Sequence, residues 1–171
     1  MSVTELSNVE IKARYTTLYN FQMLGPCVAT IRQKDVFFNC SRGRLKLRTE
    51  HYIETGKVST KLIFYVRPDE QGPHLSEILI SEMAETPGLA EVLTAACGIF
   101  TTINKTRRLY MIGRTRVHLD EVEGKGKFLE LEVVLRQGEQ VSSGREEAES
   151  IMKTLGLSSA DLVTGSYADM K

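Results

Sequence analysis

Four short stretches of this chain alternate charged residues with apolar or small ones, and the charged types are those that bind phosphate and metal ions. They are Val9-Glu10-Ile11-Lys12-Ala13-Arg14, Arg44-Leu45-Lys46-Leu47-Arg48, Arg114-Thr115-Arg116-Val117-His118-Leu119-Asp120 and Phe128-Leu129-Glu130-Leu131-Glu132-Val133-Val134. Alternation at period two is the mark of a β-strand with two unlike faces. Lys61 and Arg67, and Lys105 and Arg107, continue the pattern at even spacing. One such strand is explained by a face turned to water. Several together are not, because a wet sheet face normally mixes Thr, Ser and other polar residues. Here the repeated choice is Arg, Lys and Glu. Rows of charge converging inside a closed barrel would make a polar interior, where mutual pairing and a ligand offset desolvation.

The chemistry of such an interior is that of polyphosphates. A triphosphate crowds several negative charges onto its oxygens, and Arg and Lys supply charge-assisted hydrogen bonds to them. Carboxylate oxygens suit Mg²⁺ or Mn²⁺, cations that usually also bind substrate phosphate. Phosphoryl transfer asks mainly for positioning and electrostatic stabilisation, so a cage of cations and a metal serves without a covalent nucleophile.

The elements that must position these residues follow from the rest of the pattern. Strands are expected over residues 8–15, 28–39, 44–51, 60–67, 74–83, 99–112, 114–122 and 127–136. Thr16 and Thr17 can cap a short helix carrying Leu18, Phe21 and Leu24, with Gly25 as its stop. Thr86-Pro87 opens a helix with Pro at the first helical position, and Gly98 ends it. A polar linker over 137–144 precedes a helix near 145–155, and a short turn near 159–163 leads to Ser166-Tyr167-Ala168-Asp169. Strands dominate, with helices between them. The chain is read as α+β: one large antiparallel sheet or barrel with helices packed outside.

Composition narrows the function classes. The 171 residues, 42% apolar and 26% charged, fit a single globular domain over 1–171. A net charge of +0 excludes a general basic surface for nucleic acid, so any cationic site is local. Cys27, Cys40 and Cys97 show no zinc spacing and are expected as small buried thiols in a reducing compartment. Glu5 and Asn8 interrupt any leader-like apolar run, and no stretch reaches the roughly 20 apolar residues that span a bilayer. A cytoplasmic or nuclear protein without a membrane partner is expected. His51 and His74 are placed in loops or at strand ends, while His118 shares the row of Arg116 and Asp120. Asp120 and Glu123 either support the site from behind or face solvent. Phe37 and Phe38 are assigned to packing, and Gly124-Lys125-Gly126-Lys127 to a hairpin turn, since no phosphate-loop signature precedes a helix.

In this order and spacing the motifs resemble those of the CYTH superfamily, the triphosphate tunnel metalloenzymes, which include class IV adenylyl cyclases and thiamine triphosphatases. The hallmark is an N-terminal Glu-x-Glu-x-Lys strand, represented by Asn8-Val9-Glu10-Ile11-Lys12, with Asn8 a departure at the first acidic position. Gln33-Lys34-Asp35-Val36-Phe37-Phe38, Gly43-Arg44-Leu45-Lys46-Leu47-Arg48, Lys105-x-Arg107, Thr115-Arg116-Val117-His118-Leu119-Asp120, Phe128-Leu129-Glu130-Leu131-Glu132 and the tail Ser166-Tyr167-Ala168-Asp169 resemble the CyaB-type cyclase branch. The resemblance implies an eight-stranded antiparallel β-barrel, a tunnel with substrate inside. It implies Glu10, Glu130 and Glu132 as ligands of Mg²⁺ or Mn²⁺. It implies Lys12, Arg14, Lys46, Arg48, Lys61, Arg67, Lys105, Arg107 and Arg116 as phosphate binders or their neighbours. Lys12, the motif lysine, Glu10 and Arg116 would stand at the reacting phosphates. The expected partner is a triphosphate-containing small molecule: a nucleotide, thiamine triphosphate or inorganic triphosphate. A monomer or a homodimer would serve. The preferred expectation is a metal-dependent triphosphatase. A cyclase making cyclic AMP and pyrophosphate from ATP uses the same cage, and a non-catalytic polyphosphate-binding module is the third, motivated by Asn8.

Overall fold

The structure is a computed structural model that describes residues 3–15, 20–68, 70–83 and 87–170. Eight strands form: β1 (Val3–Arg14), β2 (Ala29–Phe38), β3 (Arg44–Tyr52), β4 (Val58–Val66), β5 (His74–Met83), β6 (Ile99–Ile112), β7 (Thr115–Val122) and β8 (Gly126–Val134). They close into an antiparallel barrel in the order β1-β5-β4-β3-β2-β6-β7-β8. Two α-helices, α1 (Leu89–Cys97) and α2 (Val141–Thr154), accompany it. The expected eight-stranded barrel with helices outside is therefore the observed architecture.

The barrel is built with its apolar faces outward on one side. Val9 and Ile11 of β1, Val117 and Leu119 of β7, and Leu129, Leu131 and Val133 of β8 are all buried, yet they alternate with the charged residues of the interior. They join one cluster with Ala148, Ile151 and Leu155 at α2, so the larger apolar core lies between barrel wall and helix. Each such side chain contributes on the order of 1.5–3 kcal/mol by leaving water. A second cluster of Phe37, Ile63, Tyr65, Ile103, Val122 and Phe128 gathers around Tyr167 of the C-terminal 3-10 turn, Tyr167–Asp169.

Several boundaries move from their expected places. Helix α2 begins at Val141, not near 145, because Gly144 is helical and buried. A Cβ at Gly144 would lie 2.7 Å from Leu135 Cδ2 and 2.8 Å from Val9 Cγ2, so glycine here is a packing residue and not a linker. Helix α1 is capped by Gly88 at φ 85°, which leaves Pro87 before the helix; Thr86 lies outside the described residues. The expected helix after β1 is a short 3-10 turn, Phe21–Leu24, and its capping Thr16 and Thr17, with Leu18, lie outside the described residues. Cys27 and Cys40 are exposed and Cys97 half-buried, contrary to the expected burial. Cys27 and Cys40 flank β2 outside its hydrogen-bonded ladder, and Cys97 ends α1, whose residues are nowhere buried. No helix among the described residues is long and apolar enough to cross a membrane.

Candidate active site

Antiparallel pairing sets the interior row by row. On β1, Glu10 stands opposite Glu132 of β8 and His74 of β5, while Lys12 stands opposite Glu130. On β7, Arg116 faces Glu132 and His118 faces Glu130. The β2–β3 pairing sets Asp35 beside Arg48, and β6–β7 sets Arg107 beside Asp120. Directly opposed residues share a sheet face, so all these side chains enter the barrel. One cavity of about 360 Å³ is lined by eight basic residues, Lys12, Lys46, Arg48, Lys61, Arg67, Lys105, Arg107 and Arg116, and by five carboxylates, Glu10, Asp35, Glu50, Glu130 and Glu132. The acidic and basic rows thus meet in one space.

The carboxylates hold the cations in place. Asp35 accepts from Arg48 Nε and Nη2, both at 2.6 Å, and from Lys46 Nζ at 3.1 Å. Asp120 accepts from Arg107 Nε at 2.7 Å and Nη2 at 2.6 Å, from Lys105 Nζ at 2.7 Å and from Tyr167 Oη at 3.0 Å. Arg107 Nη2 also reaches Glu130 at 2.5 Å, with Lys12 Nζ 3.4 Å from the same carboxylate. Glu50 accepts from Lys61 and Gln33, each at 2.7 Å, and Glu10 from Arg67 at 2.7 Å. Paired forks of this kind are set before an anion arrives and need little reorganisation to meet it.

Burial and this pairing set the charges. Burial opposes ionisation of Asp35, but Arg48 and Lys46 outweigh it and hold the carboxyl well below the usual range. Arg107 and Lys105 do the same for Asp120. Burial lowers Lys46 to about 7, helped by the neighbouring Arg48, and lowers Lys12 to about 8 against the attraction of Glu130. Burial also lowers His74, whose Nδ1 hydrogen-bonds the Gly72 carbonyl at 2.9 Å.

Not every expected residue reaches the cavity. Arg14 is exposed, donates to the Lys125 carbonyl at 2.8 Å and lies over the Phe128 ring at 4.6 Å, away from the lining. Arg116 is at the rim, its side chain 45% exposed and 3.8 Å from Glu132. Arg114, expected to share the row of Arg116, sits in the β6–β7 turn and pairs outward with Glu139 at 2.5 Å and Glu147 at 2.8 Å. Asp120 is wholly buried behind the site, not solvent-facing, whereas Glu123 accepts from Asn104 at the surface. Asp35, Glu50 and Tyr167 line the cavity as well, beyond the residues the sequence points to. The pairing of Asp35 with Arg48 follows from the β2–β3 hairpin, whose strands are neighbours in the sequence. No local signal brings Tyr167 to Asp120 across 47 positions.

A cluster able to hold a divalent cation lies on β7 and β8. His118, Glu130 and Glu132 each offer one atom, all within 4.8 Å of one another. The buried His118 Nδ1 and Asn8 Oδ1 have no hydrogen-bond partner, as expected of lone pairs that serve an ion. The residues present therefore fit a metal.

Fold and site together define a charge-lined antiparallel β-tunnel. The CYTH domain family model matches residues 6–167, and the chain belongs to that family. Proteins of the family are generally enzymes, cyclases or triphosphatases, and are metal-dependent. Adenylate cyclase CyaB of Aeromonas hydrophila is 33% identical over 87 residues, a stretch that spans 51% of this chain and 41% of the relative. The PH1819 protein of Pyrococcus horikoshii OT3 shares the fold at a TM-score of 0.75 and 21% identity, covering 94% of this chain and 95% of that one. A conserved hypothetical protein of Pyrococcus furiosus does so at 0.72 and 23%, covering 98% and 100%.

Proposed function

We propose that the protein is a metal-dependent phosphohydrolase that takes a triphosphate-containing small molecule into its tunnel. One observation carries this: eight basic side chains face a single cavity, most of them braced by carboxylates. That excess of cations suits a multiply charged chain of phosphates better than a single one. Glu130 and Glu132, with Glu10 on the adjacent strand and His118 beside them, would hold the divalent cation, Mg²⁺ or Mn²⁺. When bound, the ion supplies positive charge and Lewis acidity at the phosphates. Lys12 lies between Glu130 and the Gly165 carbonyl, which accepts from it at 3.0 Å, and would stand beside the reacting phosphate. Water supplies the new oxygen on the terminal phosphorus, and the bond from that phosphorus to its bridging oxygen breaks. Arg48, Arg107 and Lys105 stabilise the charge left on the departing diphosphate, and Arg116 closes the rim. Residues 1–171 act as one domain in the cytoplasm, as a monomer or homodimer, without nucleic acid or membrane.

A second reading rests on the likeness to the Aeromonas cyclase: the ribose 3′-oxygen of ATP attacks the α-phosphorus and pyrophosphate leaves. Incubation with ATP, inorganic triphosphate and thiamine triphosphate, each with Mg²⁺ or Mn²⁺, followed by ³¹P NMR, separates the readings. Orthophosphate as product is the expected result. Cyclic nucleotide with pyrophosphate would replace the hydrolase by the cyclase, and saturable binding without turnover would leave a binding module.

A further inference from the structure

Among the described residues six buried side-chain atoms lack a hydrogen-bond partner, and four of them, Asn8 Oδ1, His74 Nε2, Ser76 Oγ and His118 Nδ1, belong to β1, β5 and β7, the strands beside Glu10, Glu130 and Glu132. The pairing places them together, since Ser76 stands opposite Asn8, His74 opposite Glu10, and His118 opposite Glu130. An unpaired buried polar atom costs about 1–3 kcal/mol, so a group of them in one place calls for a common partner. His118 has the strongest position. It is 5% exposed, and its Nδ1 is 3.6 Å from Glu132 Oε1 and 3.9 Å from Glu130 Oε2. Those separations exceed a hydrogen bond but suit donors arranged around one ion. Arg107 and Lys12 occupy part of Glu130, but each carboxylate oxygen has a second lone pair to give.

We infer that His118 Nδ1 is a metal ligand and that, with Glu130 and Glu132, it makes a mixed nitrogen–oxygen site selecting a first-row transition cation over Mg²⁺. The inference rests on the metal requirement of the proposed function, but it concerns binding without substrate. The physical reason is the make-up of the donor set. Asn8 puts a neutral amide where the family hallmark has a carboxylate, and it faces the cavity at 4% exposure. Mg²⁺ is held almost wholly by charged and neutral oxygens, so the missing charge weakens it most. An imidazole nitrogen restores affinity only for ions that accept nitrogen well.

Mn²⁺ added to the ligand-free protein, followed by EPR, tests this without turnover. Electron spin-echo modulation should show ¹⁴N coupling from one imidazole, and the coupling should change to the ¹⁵N frequency in protein labelled at histidine. His118→Gln should abolish the coupling, and His74→Gln should retain it. Competition should show Mg²⁺ binding more weakly than Mn²⁺, and Ni²⁺, which suits imidazole better, displacing Mn²⁺ at lower concentration than Mg²⁺ does. Asn8→Glu/His118→Gln, an oxygen-only site, should narrow that gap. Absence of bound Mn²⁺ or of nitrogen coupling in the natural protein overturns the inference, and this measurement needs no variant to fold. Coupling lost in His74→Gln instead, or equal affinity for the two ions, overturns it as well. Failure to hydrolyse any triphosphate, with the nitrogen coupling intact, would count against the hydrolase and leave the metal ligand standing.

Discussion

Lys46 is pushed to about 7 by burial and by Arg48, with Asp35 only partly offsetting both. A bound triphosphate adds negative charge beside it and favours the ammonium form. Binding near pH 8 should therefore take up a proton, and affinity should fall as pH rises, by up to about tenfold per pH unit for one linked proton. Calorimetry in buffers of different ionisation enthalpy reads the uptake directly. In Lys46→Arg the guanidinium stays charged, so the uptake should shrink to what Lys12, at about 8, and Lys105, also lowered by burial, still contribute. Equal uptake in both proteins would mean that Lys46 is already charged when empty. Stability runs the other way. The folded value lies below the ordinary 10.5, so the folded protein sheds this proton first. Lys46 thus makes the ligand-free protein more stable as pH rises from about 7 toward 10.5, while its affinity declines.

At the scale of elements, β1 is held between the site and α2. Asn8, Glu10 and Lys12 point inward, while Val9 and Ile11 point outward to α2. Gly144 permits that approach, with Val9 fully buried against it. Gly144→Ala gains at most about 1 kcal/mol of helix propensity. Overpacking costs about 1–3 kcal/mol, and of the two contacts below 3.0 Å one falls on Leu135 and the other on the rigid β-branched Val9. Urea denaturation should thus show a net loss of up to about 2 kcal/mol. A stabilised variant would mean that α2 moves freely off β1 and that the glycine has no packing role.

The whole molecule joins a barrel interior rich in basic residues to an apolar layer on one side, where the larger hydrophobic cluster lies outside the barrel wall. Eight basic side chains against five carboxylates line the cavity, so an anion of high charge should stabilise the native state alone. At a triphosphate concentration a hundredfold above Kd the gain is about 2.7 kcal/mol. In a chain of this length that raises Tm by roughly 5–10 °C. Orthophosphate at the same concentration should shift Tm far less, because it reaches fewer of the fixed forks. Equal shifts from the two anions would point to surface charge screening and count against a polyphosphate tunnel.

Period-two alternation determined the strands and which charges travel together: Glu10 with Lys12, Arg116 with His118, Glu130 with Glu132. A period of two is a property of the local backbone, so sequence alone can reveal it. Gly113 and Gly124 likewise placed the last two hairpins, since turns with positive φ favour glycine. Alternation says only that one face is polar, and not whether that face meets water or the barrel axis. That was decided by the closure of β1 onto both β5 and β8, pairings between strands far apart in the chain. Closure turned the charged faces inward and gave α2 the apolar ones. Register then chose the partners: Arg107 found Asp120, His118 found the carboxylates, and Arg114, two residues before Arg116, fell in the turn and paired outward with Glu139. Gly144 had the same history, since a glycine in a polar stretch reads as a linker until the strand packed against it is known. Contacts of this kind depend on distances between segments remote in sequence, and only the tertiary structure sets them.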